Sequence, residues 1–143
     1  MIRRSPLWTM ALLLALAGCG SGDDPEARLR QTVDLMETAA EAGDIGEFLE
    51  YVADDFSGQG GQLDRRNLAR MLRAQMLRHT RITATITSSD IQMFTNRATM
   101  DMTLLLTGGP RAWMPESGEL MTVSTGWRLS GGDWELISAS WER

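Results

Sequence analysis

Few residues in this chain have side chains suited to chemistry. There is one thiol, Cys19, one imidazole, His79, and one phenol, Tyr51, together with an adjacent pair of carboxyls at Asp54 and Asp55. Neighbouring carboxyls can divide general acid and general base roles when burial separates their pKa values. On an extended segment, however, successive side chains point to opposite faces, so only one of the pair can face a cavity. The competing reading is a helix-ending turn in which one carboxylate accepts backbone hydrogen bonds. Tyr51 can donate a hydrogen bond into a cavity or simply pack half-buried. His79 falls on the apolar side of a helical stretch near its end, where an imidazole serves as a base or as a packed helix-terminal group. Each candidate for catalysis therefore has a plain structural alternative.

Metal and cofactor chemistry find less support. One histidine and one thiol leave only carboxylate sites, calcium-loop spacing is missing, and no metal is expected. The "GQGG" run at Gly58 to Gly61 lacks the lysine and the strand-to-helix context of a phosphate loop. No cofactor is expected either. A single cysteine also excludes any disulfide within the chain.

The surroundings of Cys19 explain it better than reactivity does. Arg3 and Arg4 precede an uncharged stretch from Ser5 to Gly18, a positive segment followed by an apolar one too short for a permanent membrane span. Leu16-Ala17-Gly18-Cys19 resembles the lipobox of bacterial lipoproteins. That resemblance implies cleavage between Gly18 and Cys19 and acylation of the cysteine on sulfur and amine, giving a lasting membrane anchor. Residues 1–18 are then a lipoprotein signal peptide and 19–25 a lipidated cysteine with a flexible spacer, "GSGDDP". Gly20 follows the cysteine, where an aspartate would imply inner-membrane retention, so the expected place is the bacterial outer membrane, facing the periplasm. Loss of Arg3 and Arg4 leaves 12 arginines, no lysine and 19 acidic residues, a net charge of −7. So acidic a domain has no electrostatic basis for binding nucleic acid.

The remaining residues, 26–143, suffice for one domain with a real core. Leu29, Val33, Met36 and Ala40 recur at helical spacing over Glu26 to Ala42, between Pro25 and Gly43. Asp44 caps a short helix, "IGEFLEYV", and a third runs from Asp64 to about Arg78. On the third, Leu68, Met71, Leu72 and Met76 oppose Arg66, Arg70 and Arg73. The arginine face reads as solvated, or as a surface for anionic headgroups or an acidic partner. Downstream the apolar residues alternate with period two, as strands do, through Ile82–Ile86, Ala98–Leu106, Met121–Leu129 and Trp134–Trp141. Gly131-Gly132 suits a two-residue hairpin turn that sets Leu129 opposite Trp134, Arg128 opposite Glu135 and Trp127 opposite Leu136. The same register places Gly126 opposite Ile137, at a bend or bulge.

This order of elements predicts an α+β fold with helices on one sheet face. The long first helix, "FLEYVADDF" and the terminal "GWRLSGGDWELISASW" hairpin resemble the nuclear transport factor 2-like (NTF2-like) superfamily, which includes ketosteroid isomerase and the SnoaL-type cyclases. The resemblance implies a cone-shaped, curved antiparallel sheet packed on three N-terminal helices, with an open pocket and common homodimers. It implies no single activity. Methionines cluster in the strand half, and Met93, Met100, Met102 and Met121 with Trp127 are the expected lining of an apolar pocket, or else ordinary sheet packing. The loop "TGGPRAWMPESGE" adds Trp113 and Met114 as a lid or partner contact. The leading expectation is a non-catalytic, lipid-anchored domain that binds a small apolar ligand or a partner protein. The alternatives are a small isomerase or dehydratase using an acid–base carboxylate, and a dimerisation module with a plugged cone.

Replacing Cys19 with serine is expected to block acylation and leave the protein soluble or uncleaved. Fractionation of the variant with membranes, like a fully processed wild type, would rule the tether out.

Overall fold

Helix α1 (Pro25–Glu41) starts where the Asp24 carboxylate accepts the Glu26 amide and Pro25 presets the first turn. The computed structural model describes residues 24–78, 82–108 and 118–143, so Cys19, His79, Trp113 and Met114 lie outside the described residues. Helix α1 buries Leu29, Val33, Met36 and Ala39 along one stripe. Gly43 then turns the chain at φ +73°, and Asp44 caps helix α2 (Ile45–Glu50) by accepting the Glu47 amide at 3.0 Å. Helix α2 ends at Tyr51, because Val52 has already entered a strand. Helix α3 (Arg65–Arg78) begins at Asp64, whose carboxylate accepts the Asn67 amide at 2.7 Å. Its first arginine, Arg65, donates to the Leu49 and Val52 carbonyls at 2.9 and 3.2 Å, satisfying acceptors in the last turn of α2 and at the start of the following strand.

Six strands form one sheet. They are β1 (Val52–Gly58), β2 (Leu63–Asp64), β3 (Ile82–Met93), β4 (Arg97–Gly108), β5 (Glu119–Ser130) and β6 (Asp133–Glu142), in the order β2-β1-β6-β5-β4-β3. The α+β class and the curved sheet with its helices on one side agree with expectation. One pairing does not. Strand β1 runs parallel to β6, so the sheet is antiparallel except at this seam. The parallel ladder is also irregular: Val52 faces Leu136 but Ser57 faces Ser138, leaving extra residues on the β1 side.

The terminal hairpin has the register expected from its side chains. Leu129 faces Trp134, Arg128 faces Glu135 and Trp127 faces Leu136. Beyond Trp127 the register shifts, and Gly126 faces Ser138 rather than Ile137. A bulge at Ile137 absorbs the extra residue and bends β6 around the helices. A Cβ at Gly126 would meet Ser138 Oγ, so the serine hydroxyl would have to turn aside for any larger residue.

The core runs from α1 across the middle of the sheet. Leu29 is fully enclosed, and Trp127, Met100, Phe56 and Trp134 are all buried against it. The Trp134 indole donates to the Pro25 carbonyl at 2.9 Å, fastening the start of α1 to the hairpin. Arg28 reinforces the same junction by donating to the Gly132 carbonyl.

Gly131 and Gly132 hold φ at +58° and +87°. Valine at either position is expected to cost about 1 kcal/mol or more, because its Cβ opposes positive φ. A thermal melt unchanged by Gly131→Val and Gly132→Val would contradict this turn.

Candidate functional site

Between the helices and the inner face of the sheet lies an open cavity of about 520 Å³. Helix α1 contributes Val33, Met36 and Ala40, and α3 contributes Leu68, Met71, Leu72 and Met76. The facing wall is Met102, Leu104 and Leu106 of β4 with Met121 and Val123 of β5. Alternation along β4 and β5 makes this wall, since every second side chain points inward. Met71, Leu72 and Met76 stay half-buried, packed against the core on one side and facing this space on the other.

Trp127 and Thr125 close the base. The indole Nε1 donates to Thr125 Oγ1 at 2.7 Å, and Thr125 Oγ1 donates to the Met100 carbonyl at 2.9 Å. These polar groups serve one another, and every buried side-chain nitrogen or oxygen among the described residues has a partner. The ionisable groups lining the cavity are Glu37, Glu41, Glu119 and Arg143. Glu119 opens β5 and Arg143 follows β6, and they pair at 3.6 Å at one end of the sheet. Glu37 is half-buried, and its carboxyl is pushed above the usual range by burial, then by the neighbouring charges of Glu41 and Asp34.

The sequence candidates are distributed differently from expectation. Met102, Met121 and Trp127 line the cavity. Met100 is buried in the core beneath Thr125, and Met93 packs half-buried at the end of β3; neither is on the cavity wall. Asp54 and Asp55 are both exposed and neither reaches the cavity. Strict alternation would have turned one of them inward. Instead the irregular β1–β6 pairing buries Val52 and Ala53 together and leaves both carboxyls outside. Tyr51 sits half-buried beside a separate small cleft with Arg28, Gln31 and Trp134. Glu37 escaped the sequence reading because it follows Met36, inside the apolar stripe of α1, where nothing local marks it as cavity-facing.

Asp55 has a different task. Its two oxygens accept from Arg128 at 2.8 and 2.9 Å, and Arg128 also donates to Glu135 at 3.1 Å. This fork spans three neighbouring strands, β1, β6 and β5. Hydrogen bonding to Arg128 holds the Asp55 carboxyl below its ordinary range, and the guanidinium is raised in turn by Asp55 and Glu135.

Solved structures of the same architecture exist. An NTF2-like protein of unknown function from Pseudomonas putida KT2440 superposes with TM-score 0.72 at 19% identity, over 82% of this chain and 84% of its own. The fold is NTF2-like. A protein with a cystatin-like fold from Nostoc punctiforme gives TM-score 0.65 at 19% identity, over 82% of this chain and 89% of that one. A candidate dehydratase of the NTF2-like family from Streptomyces avermitilis gives 0.67 at 16% identity, over 80% and 91%. At these identities the likeness is one of fold. No protein-family model and no curated protein matches the chain. Within the described part of this NTF2-like fold, no group of three or more histidine, cysteine or acidic residues is placed to hold a metal ion. No helix there is long and apolar enough to cross a membrane.

The Arg128 fork predicts an acid-sensitive step in stability. Asp55 has a lowered folded pKa, so its contribution is complete above the unfolded carboxyl value of about 3.9 and is lost as pH falls through the folded value. Asp55→Asn should lower the melting temperature at neutral pH and flatten its decline below about pH 4. Parallel curves for variant and wild type would show that the fork does not bear on stability.

Proposed function

We propose that the protein is a lipid-anchored component of the bacterial cell envelope, facing the periplasm, whose NTF2-like domain binds a small apolar ligand without transforming it. The cavity carries this reading. Its volume of about 520 Å³ suits a small organic molecule, since ligand sites run from about 300 to 1,000 Å³. Its walls are methionine, leucine, isoleucine and valine, and methionine adapts to ligands of varied shape. The polar groups at its base are consumed by the Trp127–Thr125–Met100 relay, so little remains there to orient or activate a reacting atom. Support for the tether comes from Leu16-Ala17-Gly18-Cys19 and the apolar stretch before it.

One observation favours a second reading. Glu37 combines a place on the cavity wall with a raised pKa, the two properties a general acid or base of an isomerase or dehydratase needs. The acid–base role therefore moves from Asp54 or Asp55 to Glu37. The first reading is preferred because Glu37 has no described hydrogen-bond or ion-pair partner to position it, while Arg143, the cationic group on the cavity wall, is paired with Glu119.

Titration with N-phenyl-1-naphthylamine, a neutral apolar fluorophore, tests the cavity. Saturable binding is expected in the wild type, with at least a tenfold loss in Leu104→Trp, where an indole fills the space. Bound ligand would strip further water from Glu37 and disfavour its charged form, so affinity should rise as pH falls through the raised Glu37 value. Glu37→Gln should bind without that pH dependence. Absence of saturable binding in a folded wild type would sink the proposal.

A further inference from the structure

Helix α3 has two working faces. The inner face lines the cavity with Leu68, Met71, Leu72 and Met76. On the outer face, Arg66, Arg70, Arg73 and Leu77 recur at intervals of four, three and four residues, which aligns them in one stripe. All three arginines are exposed, and none has an acidic partner among the described ion pairs. The helix carries five arginines and no acidic residue, in a chain whose net charge is −5. Leu77 ends the stripe 90% exposed, far more than Leu35, Phe94 or Leu120, the other exposed large apolar side chains among the described residues. A cationic stripe ending in an exposed leucine pairs headgroup attraction with a side chain for the acyl boundary.

We propose that the outer face of α3 docks on anionic lipid headgroups, with Arg66, Arg70 and Arg73 on phosphates and Leu77 entering the interface. The proposal rests on the reading of Cys19 as a lipid tether. Three arginines strengthen partition onto an anionic surface by on the order of 100-fold, which is modest for a free protein. Their attraction also fades beyond a Debye length, about 8 Å in physiological salt. A tether removes both restrictions. The spacer from Cys19 to the start of α1 spans at most about 20 Å when extended, so the domain samples the surface at high effective concentration. The arginines suit any anionic surface, and Leu77 and the tether favour the bilayer over an acidic protein because a lipid interface takes up both. Docked in this way, α3 stands as a thin wall between the headgroups and the apolar cavity.

The test uses the full chain as the cell processes it, carrying Leu77→Cys labelled with an environment-sensitive thiol dye; acylation leaves Cys19 unavailable to the dye. Emission is compared on vesicles of phosphatidylcholine alone and of phosphatidylcholine with phosphatidylglycerol. A blue shift confined to the phosphatidylglycerol vesicles is expected, reversed by high salt and absent from Arg66→Gln/Arg70→Gln/Arg73→Gln, whose melting temperature should match the parent's. Equal emission on both vesicles would overturn the docking. A shift that persists in the triple variant would overturn it as well. The tether is judged separately, by the mass of the Cys19 peptide. If that peptide is unmodified, the label is placed in a Cys19→Ser background, and the same vesicle comparison still decides whether α3 docks.

Discussion

At the base of the cavity the Trp127 indole, 2% exposed, is held by Thr125, which is itself held by the Met100 carbonyl. This chain of donors secures β5 to β4 through side chains as well as through the ladder. It lies beside the point where the β5–β6 register shifts, between Gly126 and Trp127. A large ring fixed at a bend does two jobs. It is buried in the core, and it forms part of the cavity wall. Truncating such a ring to alanine costs about 3–5 kcal/mol in well-packed cores. Here the loss would extend to the hydrogen bonds of Thr125 and to the shape of the cavity.

The outer side of the sheet solves a separate problem. Strand β1 joins β6 through an irregular parallel ladder, which is weaker per residue than an antiparallel one. Arg128 compensates from two strands away by gripping Asp55 and Glu135 together. The same carboxyl chemistry thus has opposite fates in this protein. Asp55, outside and paired with a guanidinium, is kept ionised, whereas Glu37, partly desolvated beside Glu41, resists ionisation. Environment, and not residue type, separates them.

Helix α3 links the two proposals. Its apolar face buries Leu68 and Ala69 in the core and borders the cavity with Met71, Leu72 and Met76, while Arg66, Arg70 and Arg73 outside have no acidic partner among the described ion pairs. A helix that borders a cavity along part of its length gains from being held at its ends as well. Arg65 supplies that hold at the N-terminal end, through the Leu49 and Val52 carbonyls.

Local patterns in the sequence were enough for the helices, the long strands and the terminal hairpin. Period, caps and turn glycines act between near neighbours, so Asp44, Asp64 and Gly131-Gly132 mark their elements unaided. Cross-strand complementarity even sets Arg128 against Glu135, since a tight turn leaves one register that pairs both apolar and charged residues. The candidate site was legible only in part. Met102, Met121 and Trp127 follow from alternation, but Met93 and Met100 look the same in sequence and sit elsewhere. Which inward side chain meets a helix and which meets empty space depends on how far the helices stand from the sheet, a distance no local pattern encodes. The fate of Asp54 and Asp55 was decided by the parallel seam with β6, more than seventy positions away in the chain. Glu37 became notable only when α3 left room beside it. Periodicity determined the helices and the long strands; tertiary packing alone decided which carboxyls lost water, because desolvation is a property of the surroundings and not of the residue.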